Sequence, residues 1–206
     1  MWKNCTKLSD ERILPLGMPR TDTFINKKKG DGGTILASKR SYLYVPTFRE
    51  PYEPHNFLIY FDWLDDQLTD NEIFAVKVHM RGKTMLNKEY KHIIEIASTE
   101  PSTSYLYDCD VVITDYSSIM FDGYLLNKPS ILYSPNLDYV NKRGMYMKYP
   151  QEYSSKCATN EKDLLDLMRS TNILTDVEHN CINKVANMCD GHSCERICNL
   201  ISNLNT

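Results

Sequence analysis

Short apolar runs alternate with amphipathic stretches along most of this chain. Runs rich in β-branched and aromatic residues predict strands at 42–45, 73–78, 93–97, 111–114 and 131–133, with a short sixth strand through Cys157. Apolar residues at helical spacing predict helices over 57–68 and 117–126. Strands that alternate with helices in this way are typical of a parallel sheet covered on both faces, so we expect a Rossmann-like α/β fold.

The pattern after the last strand is helical. Asn160 is a suitable N-cap, with Asp163 at the third helical position. Two more helices are expected near 179–189 and 193–204, and Gly191 lies in the turn between them. These helices extend the sheet domain rather than forming a separate unit.

A glycine-rich stretch divides the chain into two regions, and the net charge bears on its partners. The stretch 30–33 is rich in glycine and predicts a flexible linker. We therefore expect an N-terminal arm and linker over 1–34, followed by a Rossmann-like domain with C-terminal helices over 35–206. The net charge of −3 provides no strong basic field, which argues against nucleic acid as a partner.

The most informative stretch is 111–118, where a β-branched strand runs into the start of a helix. Asp115, Ser117 and Ser118 lie at this junction, and the first N–H groups of a helix favour phosphate. Asp122 is four residues after Ser118, on the same helix face, where a carboxylate can accept hydrogen bonds from a ribose diol. The simpler alternative is that Asp115 or Ser117 only caps the helix.

Other polar groups also follow predicted strands, at the edge where ligands bind to doubly wound sheets. Thr47 and Arg49 follow the first strand, and His79 follows the second. A histidine there can donate to a phosphate or act as an acid or base, although a structural histidine bonded to backbone is an equal alternative. Arg143 precedes Gly144, and an arginine beside glycine can approach a diphosphate closely.

Cysteine usage and hydropathy narrow the class of protein further. The chain has seven cysteines and no Cys-x-x-Cys pair. Cys194 and Cys198 share a helix face with Ile197 and Ile201, so we expect small buried hydrophobic residues rather than zinc ligands, and no metal site. No apolar run is long enough for a membrane span, and nothing resembles a signal peptide, which predicts a cytoplasmic protein.

An ordered series of motifs resembles the CDP-glycerol glycerophosphotransferase family, which polymerises teichoic acids and related polyol-phosphate polymers. The resemblance covers the chain from about Ile13 onward. The matching segments are Leu16-Gly17-Met18-Pro19-Arg20-Thr21-Asp22, Leu43-Tyr44-Val45-Pro46-Thr47-Phe48-Arg49, Lys77-Val78-His79, Asp108 through Asp122, Arg143-Gly144-Met145-Tyr146, and Asp190-Gly191-His192 with Glu195-Arg196.

The resemblance implies the C-terminal, donor-binding half of a GT-B fold and a transferase of cell-wall biosynthesis that needs no cofactor. It implies that His79, Ser117, Ser118 and Arg143 hold the phosphates of CDP-glycerol or a related CDP-polyol. It places Thr47, Arg49 and Asp122 on the nucleotide side. A hydroxyl of a lipid-linked polyol-phosphate acceptor would attack the β-phosphorus, and CMP would leave. Such an acceptor places the protein peripherally at the inner face of the cell membrane.

Two departures from the family pattern keep other functions open. The family's His-Gly-Thr-Pro motif, whose histidine is thought to be the catalytic base, is absent, and Met80 replaces the proline usual after the strand-end histidine. The catalytic base would then come from an N-terminal half, which is either an upstream part of a longer chain or a separate part of a split enzyme. The alternatives are a non-catalytic module that binds a nucleotide diphosphate or a phosphopolymer, and another GT-B transferase that uses a sugar nucleotide.

Overall fold

The computed structural model describes residue 9 and residues 12–47, 59–77 and 85–204. Two of the predicted site residues, Arg49 and His79, lie outside the described residues, as does Met80. The predictions made for them therefore stay predictions. Residues 12–34 are a described part of the N-terminal arm, so the relation of this part to the sheet is visible.

A single parallel sheet of six strands organises the described chain, in the order β3-β2-β1-β4-β5-β6. The strands are β1 (Arg40–Tyr44), β2 (Glu72–Lys77), β3 (Ile93–Ile96), β4 (Val111–Thr114), β5 (Ser130–Tyr133) and β6 (Cys157–Ala158). All six predicted strands are confirmed to within two residues at either end. This order reverses direction between β1 and β4, which makes their carboxyl ends the topological switch point of the sheet.

Seven α-helices accompany the sheet in the described ranges, together with two 3-10 helices at Pro19–Phe24 and Ile35–Ser38. They are α1 (Phe61–Gln67), α2 (Ser102–Asp108), α3 (Ile119–Leu125), α4 (Leu137–Arg143), α5 (Glu161–Ser170), α6 (Asp176–Val185) and α7 (Ser193–Leu204). The side chain of Asn160 caps α5 by accepting from the backbone N–H of Asp163, as predicted. The sequence pattern did not predict α2 or α4.

Both faces of the sheet are covered, which explains why its strands are apolar at successive positions. Tyr44 and Ile113 face α1 and α5, where Leu64 and Leu164 complete one core. On the opposite face, the core comprises Leu43, Val112, Phe24, Leu36 and Leu106. The arm therefore contributes Phe24 to this second core.

Asp108, the last residue of α2, holds the glycine-rich segment against the domain. The carboxylate of Asp108 is fully buried and accepts from the backbone N–H groups of Gly30, Gly32 and Thr34 at 2.7–3.0 Å. It also accepts from the hydroxyl of Thr34 at 2.8 Å. The expectation of a flexible linker is wrong here, because a buried carboxylate fixes the backbone that the glycines would otherwise leave free.

Helix α7 forms where it was predicted, but its apolar face is exposed. Cys194 and Cys198 are exposed thiols, and Ile201 is 54% exposed. The expectation that these cysteines are small buried hydrophobic residues is therefore wrong, because the periodic pattern defines a face without defining what covers it. Within the ranges that the structure describes, none of the helices combines the length and apolar character needed to cross a bilayer.

Candidate functional site

Thr47 and Asp115 bring the loops after β1 and β4 together at the switch point. The hydroxyl of Thr47 donates to Asp115 Oδ1 at 2.6 Å. Its backbone N–H donates to both carboxylate oxygens, at 3.1 and 3.2 Å. Asp115 is only 2% exposed and also accepts from the N–H of Tyr116 at 2.7 Å. The structure thus places these two predicted residues in direct contact, with Asp115 serving as a buried anchor.

The two serines after Asp115 are placed differently from each other. Ser118 is the N-cap residue of α3, yet its side chain makes no capping hydrogen bond, and it is exposed. Ser117 is partly buried, and its hydroxyl lies 3.5 Å from the N–H of Ile119, which is long for a hydrogen bond. Helix capping therefore leaves the hydroxyl of Ser118 unexplained, and this hydroxyl faces solvent at the switch point.

Asp122 is engaged with the arm rather than open to solvent. Both of its oxygens accept from Arg20, at 2.7 and 2.8 Å, in a bidentate pair. The side chain of Asp122 is 11% exposed, whereas that of Arg20 is 53% exposed. The hydrogen bond from Asp122 raises the pKa of the Arg20 guanidinium. The predicted contact of Asp122 with a ribose diol stays a prediction, and Arg20 is a partner of Asp122 that the sequence argument missed.

The loop that carries Arg20 is itself fixed by α7. Asp22 accepts from the backbone N–H groups of Ser193 at 3.1 Å and Cys194 at 2.7 Å. These bonds, led by the one from Cys194, lower the pKa of Asp22 to about 2. Arg196 donates through Nε to the carbonyl oxygen of Leu16 at 3.0 Å. The first and last motifs of the series therefore form one structural unit.

Glycine is required where this loop passes closest to the chain before α7. Gly17 has φ +85°, and a Cβ there would lie 2.2 Å from the carbonyl oxygen of Met188 and 2.3 Å from Ser193 Oγ. Only glycine, which has no side chain, lets the loop pass this close to Met188 and Ser193. Nearby, the carboxylate of Asp190 accepts from both terminal nitrogens of Arg196, at 2.8 and 2.9 Å.

Tyr149 binds the backbone at the switch point through its hydroxyl. Its hydroxyl donates to the carbonyl oxygen of Asp115 at 3.0 Å and is hydrogen-bonded to the hydroxyl of Ser134. Burial raises the pKa of Tyr149 well above its usual value. No short motif identifies this residue, because its partner lies 34 positions away in the chain.

Lys77, from the Lys-x-His segment, holds a neighbouring loop. It donates through Nζ to the carbonyl oxygen of Ala97 at 2.8 Å, and burial lowers its pKa. Farther along the chain, Arg143 is the last residue of α4, and Gly144 follows it with φ +80° and is exposed. Gly144 therefore has the left-handed conformation usual after a helix end.

A groove of about 460 Å³ opens between the starts of α1 and α5, at the carboxyl edge of the sheet. It is lined by Tyr60, Trp63, Asn160, Glu161 and Lys162. Tyr60 is 64% exposed, so the groove presents an aromatic surface beside charged groups. In the parts of the chain that the structure describes, no group of three or more His, Cys, Asp and Glu residues could hold a metal ion.

Comparisons with known proteins agree with this architecture. The model of the CDP-glycerol:poly(glycerophosphate) glycerophosphotransferase family matches residues 1–203. The chain is 26% identical to a teichoic acid glycerol-phosphate transferase of Staphylococcus aureus, over 98% of this chain and 57% of that protein. It is 28% identical to a teichoic acid glycerol-phosphate primase of Bacillus subtilis, over 99% of this chain and 55% of the primase.

A teichoic acid poly(ribitol-phosphate) polymerase of Bacillus spizizenii is also similar, with 28% identity over 91% of this chain and 33% of the polymerase. The solved structure of the wall teichoic acid polymerase TagF superposes with a TM-score of 0.76 at 21% identity, covering 98% of this chain and 55% of that one. This likeness establishes the fold. The chain spans about half the length of the glycerol-phosphate transferase and the primase.

Proposed function

Because the chain belongs to the CDP-glycerol:poly(glycerophosphate) glycerophosphotransferase family, we propose that it supplies the donor-binding half of such a transferase. The complete enzyme moves a glycerol-phosphate unit from CDP-glycerol to a hydroxyl of a cell-wall polymer. The observation that carries the proposal is the switch point, where Thr47 and Asp115 fix two loops and leave Ser118 exposed. Nucleotides bind to doubly wound sheets at this place.

The diphosphate and the base of the donor need different surroundings. Its diphosphate would be held by Ser117, Ser118, Arg143 and His79, beside the switch point. The aromatic groove at Tyr60 and Trp63 is suited to the flat cytosine ring, since bases stack on aromatic side chains. The groove and the switch point share the carboxyl edge of the sheet, and on this ground we assign the two parts of the donor to them.

The reaction is a substitution at phosphorus. An oxygen of the acceptor hydroxyl forms a bond to the β-phosphorus, and the bond from that phosphorus to the bridging oxygen breaks. CMP leaves with the bonding electron pair, while a base removes the proton of the hydroxyl. The contribution of this chain is to orient the donor and to offset charge on the departing phosphate, with His79 as the candidate catalytic donor.

The family narrows the choice of polyol and of acceptor. Similar proteins are named for glycerol phosphate and for ribitol phosphate, so the donor is a CDP-polyol, with CDP-glycerol the first choice. A lipid-linked acceptor would bring the complete enzyme to the inner face of the membrane. An N-terminal half, whether in the same chain or in a separate one, would provide the catalytic base, since no His-Gly-Thr-Pro segment occurs in this sequence.

A calorimetric titration tests the donor assignment directly. The purified chain would be titrated with CDP-glycerol, CMP and UDP-glucose, and a Ser118→Ala variant with CDP-glycerol. We expect selective binding of CDP-glycerol that the substitution weakens about tenfold, the loss expected for one hydrogen bond to a charged group. A preference for UDP-glucose would instead favour a sugar-nucleotide transferase.

The second candidate function is a non-catalytic binding module. It is favoured by the absence of the His-Gly-Thr-Pro motif from this sequence. Release of CMP from CDP-glycerol separates the two functions when the N-terminal half of a similar transferase is added to the chain. Turnover that needs both parts supports the transferase, whereas donor binding without turnover under any pairing supports the module.

A further inference from the structure

Arg20 has hydrogen-bonding capacity that its known partner does not use. A guanidinium group carries five N–H donors. Asp122 accepts one hydrogen bond from each terminal nitrogen of Arg20, at 2.8 and 2.7 Å. The side chain is 53% exposed, so the rest of the guanidinium faces solvent while the buried carboxylate fixes its orientation. An oriented arginine with exposed donors is suited to binding an oxyanion.

The position of this arginine is set relative to Ser118. Side chains of a helix point toward its N-terminus, so a residue covers the turn before it. Asp122 therefore carries the guanidinium of Arg20 over the turn that begins at Ser118, whose exposed hydroxyl makes no capping bond. A positive charge and a free hydroxyl thus lie on one face of α3. Helix α3 has only seven residues, so the arginine, rather than the helix dipole, supplies most of the charge.

The loop that carries Arg20 is rigid enough to keep the guanidinium in place. Asp22 binds two N–H groups at the start of α7, and Gly17 is packed against Met188 and Ser193. Arg196 holds the carbonyl oxygen of Leu16 from the other side. Residues on both sides of Arg20 are therefore anchored, which reduces the entropy lost when the arginine binds a ligand.

We propose that Arg20 is a donor-binding residue that contacts a phosphate oxygen of the nucleotide diphosphate, and that Asp122 serves to orient Arg20. This inference rests on the proposed function for the identity of the donor. It also assigns a role in binding to the Gly-Met-Pro-Arg-Thr-Asp segment. Asp122 then acts through the arginine, as a positioning residue.

Two variants separate contact with the ligand from support of the helix. Arg20→Met and Asp122→Asn both remove the charged pair, so a purely structural role predicts the same loss from each. Contact with phosphate predicts unequal losses, because Arg20→Met removes the positive charge that binds the phosphate whereas Asp122→Asn keeps that charge and removes only the group that orients it. Arg20→Lys retains the charge without the bidentate geometry and provides a third variant if Arg20→Met fails to fold.

The experiment is a calorimetric titration of the chain and these variants with CDP-glycerol and with inorganic pyrophosphate, with thermal unfolding midpoints to verify folding. We expect Arg20→Met to weaken binding of both ligands about tenfold to a hundredfold. Asp122→Asn should weaken binding of both ligands less than Arg20→Met does, because it loosens the orientation of Arg20 but keeps its positive charge, and Arg20→Lys should lie between the unmodified chain and Arg20→Met. If Arg20→Met bound both ligands as tightly as the unmodified chain, the inference would be overturned and the proposed function would stand. Equal losses of affinity in Arg20→Met and Asp122→Asn would have the same meaning.

The two ligands distinguish failure of this inference from failure of the proposed function. Pyrophosphate binding that depends on Arg20, without any binding of CDP-glycerol, would support the phosphate contact and overturn the proposed donor. Binding of neither ligand by the folded, unmodified chain would overturn both.

Discussion

One carboxylate, that of Asp115, accepts from both the hydroxyl and the backbone N–H of Thr47. The two residues are 68 positions apart in the chain. Their contact joins the loops that follow β1 and β4, the two central strands of the sheet. The walls of the proposed donor site are therefore held together by a side chain that is itself buried.

Replacing Thr47 with valine keeps a side chain of similar shape but removes the hydroxyl donor to Asp115. We expect the free energy of unfolding to fall by about 1–2 kcal/mol, because a buried charged group loses one of its hydrogen bonds. Urea unfolding measures this change, and Thr47→Ser, which keeps the hydroxyl, is the control. Equal stability of Thr47→Val and the unmodified chain would show that the hydroxyl contact is dispensable.

Gly17→Ala should be strongly destabilising. The new Cβ would lie 2.2 Å from a backbone oxygen, at a residue with φ +85°. We expect a loss of at least about 3 kcal/mol, from backbone strain and steric overlap together. Gly33→Ala is a matched control, since Gly33 also has positive φ but open space around it, and it should cost about 1–2 kcal/mol. The two unfolding curves would coincide only if the close approach to Met188 were absent.

The stability contributed by Asp22 should depend on pH. Two N–H groups at the start of α7 lower its pKa from 3.8 to about 2. A lowered folded-state pKa stabilises the fold above the ordinary pKa and ceases to do so as pH falls through about 2. We expect Asp22→Asn to unfold at a lower temperature than the unmodified chain at pH 7. The difference should shrink as the pH is lowered from 4 toward 2, and a constant difference would contradict the assignment.

Asp108→Asn should release the glycine-rich segment 30–33. The amide nitrogen would face N–H donors in place of an oxygen, at a fully buried position. We expect a loss of about 2–4 kcal/mol and faster tryptic cleavage after Lys27, Lys28 or Lys29. Asp31→Asn changes an exposed carboxylate in the same segment and should stay within about 0.5 kcal/mol. Comparable cleavage of both variants would argue against the anchoring role of Asp108.

Tyr60→Ala should affect the nucleoside end of the donor selectively. Loss of a stacking surface worth about 1–3 kcal/mol would weaken binding of CDP-glycerol and CMP about fivefold to a hundredfold. Pyrophosphate binding should be unchanged, because pyrophosphate has no base. Tyr146→Ala removes another exposed tyrosine, outside the groove, as a control. Equal weakening of all three ligands would place the effect in the fold rather than in the groove.

The local pattern of the sequence was sufficient for the sheet but not for the contacts that build the site. Apolar runs identify β1 and β4, and strand alternation implies the edge at which Asp115 and Ser118 lie. Helix α2 was missed because its first turn is Ser-Thr-Ser, which lacks strong helix formers, and tertiary packing stabilises it instead. Periodicity placed α7 correctly but could not show that Cys194 and Cys198 are exposed.

The partners of the N-terminal loop could not be predicted by spacing, because they are remote in the chain. Arg20 is 102 positions from Asp122, and Asp22 is 172 positions from Cys194. No helical or strand period relates residues at such separations. The motif series indicated which family the chain resembles, whereas the structure shows that residues from separate motifs bind one another.

The contact between Asp22 and the start of α7 has a consequence for how the protein is made. On the ribosome the loop around Arg20 emerges early, yet the N–H groups that hold Asp22 belong to residues synthesised 171 and 172 positions later. The loop that aligns Arg20 with α3 cannot be fixed through these bonds until α7 has begun to emerge. The proposed donor site is therefore completed only once Ser193 and Cys194 have been synthesised.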